Sequence, residues 1–125
     1  MDKEIRLKLI ELARLKATFT YSQLNEQLQL HLNFSDASDR SLIGDWLGEI
    51  SIYEHEKGRP LLSSLVTHKD KMREQGDGFY KLCEELLGIP WQELKADKEW
   101  ENNQIAKCFE FWTNPTNYKN YKNDK

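Results

Sequence analysis

The chain has 125 residues, of which 38% are hydrophobic and 31% charged, and a formal net charge of −3. That length suits one domain with a single core, and no apolar run nears the roughly 18 residues of a membrane span. A negative balance disfavours a general nucleic-acid binder, and the charge-interleaved start "MDKEIRLKLIELARLK" lacks the apolar stretch of a secretory signal, which points to a cytoplasmic protein of bacterial type.

In chain order, Ile5, Leu9, Leu12 and Ala13 fall on one face at helical spacing, with Asp2 placed to cap. "ATFTY" is β-branched and aromatic and predicts a short strand. Ser22 then caps a second helix running to about Gln29 with Leu24 and Leu28 inward. This order is the opening rhythm of a winged helix-turn-helix.

After a polar connection, Leu42, Ile43, Trp46, Leu47, Ile50 and Tyr53 form an apolar stripe on a long helix from about Asp36 to Lys57. Gly44, Gly48 and Ser51 share another face. A helical glycine costs about 1 kcal/mol relative to alanine, so a compensating reason is expected. Close packing against another element is the plainer reason, and a ligand or partner groove is the alternative.

Gly58 reads as the left-handed end of this helix, and Pro60 forbids its continuation. "LLSSLVT" has apolar residues on both alternating faces and predicts a strand covered on both sides. "HKDKMREQGDG" reads as an exposed loop, after which Asp77 caps a helix with Phe79, Leu82, Cys83 and Leu86 inward. Gly88-Ile89-Pro90 repeats the stop signal. A short segment with Trp91 and Leu94 leads to a last helix carrying Trp100, Ile105, Cys108, Phe109 and Trp112. The resulting expectation is a mainly helical α+β fold with a winged-helix-like core and additional C-terminal helices. One domain covers 1–113, and the polar tail 114–125 is expected to be disordered.

Three functional readings compete. For DNA binding, the long helix would enter the major groove. It carries six acids, Asp36, Asp39, Asp45, Glu49, Glu54 and Glu56, against Arg40 and Lys57, which opposes contact with phosphates. Helix 1 is more basic, with Lys3, Arg6, Lys8, Arg14 and Lys16, and the tail adds three lysines. For catalysis, the candidates are Glu49, Glu54, Arg59 and Ser63, with Glu54, His55 and Arg59 meeting at the helix-to-strand turn. There an arginine holds an anion and a carboxylate acts as base, or Arg59 simply pairs with a glutamate and closes the turn. No metal spacing, phosphate loop or nucleophile elbow is present, so neither metal nor cofactor is expected. Cys83 and Cys108 sit at core spacing and read as reduced core thiols.

The third reading is a non-enzymatic module that contacts a protein partner, with no membrane attachment. Its acidic helix steers a basic partner, and the binding candidates are Asp45, Glu49, Glu54, Arg59, Gly76 and Gly78. The glycines at 76 and 78 precede a helix N-terminus, where backbone N–H groups receive anions. A component of a defence or toxin–antitoxin system is one concrete form of this reading.

"FTYSQL", "IGDWLGEISIYEHEKGRPLLSSLV", "GDGFYKLCEELLG" and "IAKCFEFW" together resemble a group of small bacterial proteins of uncharacterised function. In that group a Leu-Gly-Glu-Ile helix precedes a Gly-Arg-Pro turn, a Leu-Ser strand and a Gly-x-Gly-Phe helix start. The resemblance implies attention to Gly48, Glu49, Glu54, Gly58, Arg59, Pro60, Ser63, Gly76, Gly78 and Phe79, and implies no particular activity. Tyr80 stands where the group carries a second Phe.

Overall fold

The structure is a computed structural model and describes residues 1–67 and 77–124. Helices make up 72% of it, with one small parallel sheet. Helix α1 (Lys3–Arg14) starts where the Asp2 side chain accepts the Ile5 N–H at 2.9 Å. Strand β1 is Phe19–Thr20, and α2 (Tyr21–Gln27) follows at once. The cap of α2 is Thr20 rather than Ser22. Thr20 and Gln23 bond each other's backbone N–H in a capping box, which satisfies two donors where a lone serine would satisfy one.

Helix α3 (Ala37–Glu56) is capped by Asp36 and is followed, past Lys57, by Gly58, whose φ of +74° is the left-handed conformation a glycine adopts cheaply. Beyond Pro60 the expected strand is mostly a 3-10 turn, Leu62–Leu65, and only Val66–Thr67 forms β2. Every residue from Leu61 to Thr67 is nevertheless buried. The alternating pattern marked a covered segment correctly but not its backbone, because a short apolar run fits either conformation. β2 pairs in parallel with β1, Phe19 opposite Val66 and Thr20 opposite Thr67.

Then come α4 (Asp77–Leu87), α5 (Trp91–Ala96), α6 (Lys98–Thr113) and α7 (Pro115–Tyr121). Helix α7 lies within the tail expected to be disordered. Its order has a local cause and a distant one: Asn114 caps it by accepting from the Thr116 and Asn117 N–H groups, and its far end bonds to α1. Polar composition misled the expectation, because this helix is fastened by hydrogen bonds and ring contacts and buries no residue of its own.

The main core gathers Ile5, Leu9 and Ile10 of α1, Ile43, Leu47 and Ile50 of α3, Leu62 and Leu65 of the 3-10 turn, and Cys108 and Trp112 of α6. A second cluster of Leu61, Phe79, Tyr80, Cys83 and Leu94 lies under α4 and α5. Leu42 of the predicted stripe is outside the core, at 39% exposure. The buried face of α3 instead runs Ile43, Leu47, Ile50, Ser51 and Glu54, so it ends on a carboxylate.

Candidate functional site

Glu54 is completely buried, and its two carboxylate oxygens are divided between two arginines. Arg6 donates to Oε1 from Nε at 3.2 Å and from Nη2 at 3.0 Å. Arg59 donates from Nε to Oε2 at 2.7 Å, and its Nη2 lies 2.6 Å from the same oxygen without hydrogen-bond alignment. Arg6 and Arg59 are only 2% and 6% exposed. The Tyr53 ring lies 5.5 Å from each guanidinium, and Trp112 gives Arg6 a second ring at 5.8 Å. Aromatic faces of this kind attract desolvated cations.

The fold places these three charges from different directions. Arg6 sits beside Ile5 on the buried face of α1, and Glu54 is the last buried position of α3. The Gly58 turn then doubles the chain back, so that the Arg59 N–H donates to the Glu54 carbonyl at 2.9 Å and its side chain reaches the Glu54 carboxylate. The sequence reading brought Glu54 and Arg59 together at this turn. It missed Arg6, whose place in an otherwise apolar stripe was the available signal. No hydrogen bond or ion pair joins the His55 side chain to either of them among the described residues, although His55 and Arg59 line one cleft.

The C-terminal segment covers the cluster. Arg6 donates from Nη1 to the Lys122 carbonyl at 2.7 Å and from Nη2 to the Tyr121 carbonyl at 2.9 Å. Arg59 donates from Nη1 to Asp124 Oδ2 at 2.8 Å, and the Tyr121 ring lies 5.3 Å from its guanidinium. Further along α1, the Tyr118 hydroxyl donates to Glu11 at 2.7 Å and Arg14 stacks on the Tyr118 ring at 3.8 Å. Burial works against the charge on Arg59, but its hydrogen bonds to Asp124 and Glu54 outweigh that and raise the guanidinium above its ordinary value.

The other catalytic candidates lie apart from this cluster. Glu49 is exposed and faces the Met1 amino group at 3.4 Å. The Ser63 hydroxyl accepts from Ser51 at 2.6 Å, and the Ser63 N–H donates back to the Ser51 oxygen at 3.0 Å, a pair that joins α3 to the 3-10 turn. Asp45 is exposed on α3, Gly78 lies in the first turn of α4, and Gly76 falls outside the described residues, as do His68 and the charged loop. Burial pushes both thiols, Cys83 and Cys108, up to about 12. Among the described residues no group of His, Cys, Asp or Glu is arranged to hold a metal, and no helix is long and apolar enough to cross a membrane.

A groove of about 1010 Å³ runs along the outer side of α3. Gly44, Leu47 and Gly48 of α3 line it together with Tyr21, Phe34, Ile52, Phe79 and Leu82. Asp45, Glu49 and Asp77 line it together with Arg40, three carboxylates to one guanidinium. Arg40 is directed to the Phe34 carbonyl at 2.6 Å, and Asp77 to Lys95 at 2.6 Å. Among the described residues, a Cβ built at Gly44 meets nothing within 4 Å, so the expected close packing is not seen there, and one at Gly48 meets Leu82 Cδ2 at an ordinary contact distance of 4.0 Å.

No protein-family model matches the chain, and no curated protein and no solved structure matches it either.

Proposed function

We propose that the protein is a non-catalytic binding module whose α3 groove receives a segment of another protein bearing basic and apolar side chains. The observation that carries this is the space left beside Gly44 among the described residues, in a groove that Gly48 also lines. Two glycines weaken this long helix by about 1 kcal/mol each, Gly44 has no packing contact among the described residues to offset that, and both leave the groove lining without a side chain at their positions. Apolar walls with a carboxylate-rich rim suit an amphipathic, basic segment. A basic nuclease toxin, with this chain as its immunity protein or antitoxin, is one concrete partner of that chemistry.

The winged-helix reading, and DNA binding with it, draws support from the order α1–β1–α2–α3–β2. It is weakened at the surfaces that would meet phosphate. The exposed acids of α3 remain, while Arg6 of the basic helix is buried against Glu54 and Arg14 is stacked on Tyr118. An enzyme built on Glu54 and Arg59 would need substrate to reach a carboxylate whose oxygens are both engaged and fully buried.

The test is an amide NMR titration of the full chain with a synthetic leucine/lysine amphipathic helix, a leucine/glutamate counterpart and a DNA duplex. The lysine peptide is expected to shift Gly44, Gly48 and Ile52 saturably, with an affinity that falls as salt rises. Equal binding of the acidic peptide, tighter binding of the duplex, or shifts confined to residues away from α3 would overturn the proposal.

A further inference from the structure

The Arg6–Glu54–Arg59 cluster shares no lining residue with the α3 groove and carries a separate inference. Two guanidiniums face one buried carboxylate, so the cluster alone holds one uncompensated positive charge. Asp124 supplies the balance from the C-terminal segment, and its side chain is still 32% exposed. A buried charge without a partner is costly. With Asp124 displaced, the two arginines would be left with that charge unbalanced.

The segment that supplies this counter-charge is weakly held. Helix α7 has only seven residues and buries none of them, and a helix that short has no stability of its own. Its attachments are polar bonds and half-exposed rings: the Asn114 cap, Asn117 on the Phe111 carbonyl, the two carbonyls on Arg6, Asp124 on Arg59, the Tyr118 hydroxyl on Glu11, Tyr121 on Phe111, and the half-buried Tyr118 ring against the core. Elements with little buried apolar contact open locally at a fraction of the global unfolding free energy. The arginines, by contrast, are fixed from below. Each uses Nε on Glu54 and turns Nη1 to the C-terminal segment, at 2.7 Å from the Lys122 carbonyl and 2.8 Å from Asp124. Opening would uncover a pair of oriented donors.

There is also a way in. A cleft of about 540 Å³ runs beside α7 to Arg59, with His55, Gln104, Lys107 and Asn117 among its walls and Glu110 as the opposing acid.

We propose that residues 114–124 are a displaceable plug over an oxyanion-binding site formed by Arg6 and Arg59, with the Asp124 carboxylate as the resident ligand. The exogenous ligand is a small oxyanion, a carboxylate or a phosphate, since both present paired oxygens to a guanidinium fork. The site is not catalytic. It is a place where an anion competes with the protein's own C-terminal segment.

The experiment follows the arginine Nε–H resonances and the amide exchange of the full chain, as wild type and as Asp124→Asn. Unchanged α3 and α6 amides certify the fold of the variant. In the wild type, amides of 118–122 are expected to exchange at least tenfold faster than those of the α6 centre, and Asp124→Asn to speed them a further tenfold. Inorganic phosphate and acetate, titrated separately, are expected to move the Arg59 resonance saturably, at least tenfold more tightly in Asp124→Asn than in the wild type. The better probe identifies the oxyanion. Wild-type exchange of 118–122 at the rate of the α6 centre overturns the displaceable plug by itself, without any variant. Faster exchange in Asp124→Asn with no gain in affinity for either anion overturns the binding site.

Discussion

Glu54 and Arg59 are five positions apart and form an ion pair at 2.6 Å with almost no exposed surface on either side chain. Such closeness across a helix end depends on the turn between them. Gly58 reverses the chain, the Arg59 N–H takes the Glu54 carbonyl, and the guanidinium returns to the carboxylate it has just passed. Arg6, arriving 48 positions away in sequence, occupies the second carboxylate oxygen and ties α1 to the end of α3. The local turn therefore also fixes a tertiary contact.

Glu54→Gln keeps the volume and removes the charge, leaving two buried arginines without their shared anion. Breaking a buried pair from one side costs about 3–5 kcal/mol, a large fraction of a small domain's stability. Urea unfolding is expected to show a much lower midpoint for Glu54→Gln. Glu56→Gln, on the exposed side two residues later, is expected to leave the midpoint in place. Equal midpoints for the two variants would mean that the cluster contributes nothing net.

At Gly58 the constraint is conformational rather than electrostatic. Its φ is +74° and nothing among the described residues lies within 4 Å of a built Cβ, so Gly58→Ala meets strain without a clash there. The left-handed region costs a residue with a side chain about 1–2 kcal/mol, and that loss is expected in thermal or urea melts. Because the turn delivers Arg59, the Arg59 Nε–H resonance is expected to shift as well.

How much of this was legible beforehand depends on the kind of signal. Apolar spacing located α1, α3 and α6, and the Gly-x-Pro pairs located both helix ends, since positive φ and a missing N–H act within a few residues. The site was legible only in halves. Glu54 lies at helical spacing from Ile43, Leu47 and Ile50, and Arg6 sits between Ile5 and Leu9, so each charge occupies an apolar face. A charge on an apolar face announces a partner but not which one, because the pairing spans 48 positions. The tail was misread for the same reason: Tyr118, Tyr121 and Asp124 carry no periodic apolar pattern, and what orders them is supplied by α1 and the turn. The 3-10 turn at Leu62–Leu65 was read as strand because burial on all sides erases the difference in period.

Gly44 separates stability from binding. Gly44→Ala adds a methyl group into open space on a helix, so stability is expected to rise by about 0.5–1 kcal/mol. If the groove takes a partner segment, the same methyl group raises its floor, and Gly44→Leu raises it further. Affinity for the lysine-rich helical probe is expected to fall in the order Gly, Ala, Leu, while the melting temperature of the alanine variant is at or above that of the wild type. Undiminished affinity in Gly44→Leu would remove the groove from consideration.

The two thiols predict a pH dependence with a definite sign. Burial raises both Cys83 and Cys108 from an ordinary value of 9.0 to about 12, and for Cys108 the nearby Ser64 hydroxyl offsets only part of that. The folded state therefore holds these protons more tightly than the unfolded chain does. By linkage the corresponding stability is complete below pH 9 and is lost progressively between pH 9 and 12. At pH 8 almost no thiolate is present in the native protein, so a disulfide reagent such as Ellman's is expected to label neither cysteine on the timescale of minutes, and both at once in denaturant. Labelling should accelerate with urea along the unfolding transition rather than with pH below 9. Cys108→Ala, which removes a buried sulfur whose S–H donates to the Leu61 carbonyl at 3.3 Å, should flatten the alkaline fall relative to the wild type. A rapid single-site reaction at pH 8 in native buffer would show instead that one thiol is open to solvent, contrary to the burial of both.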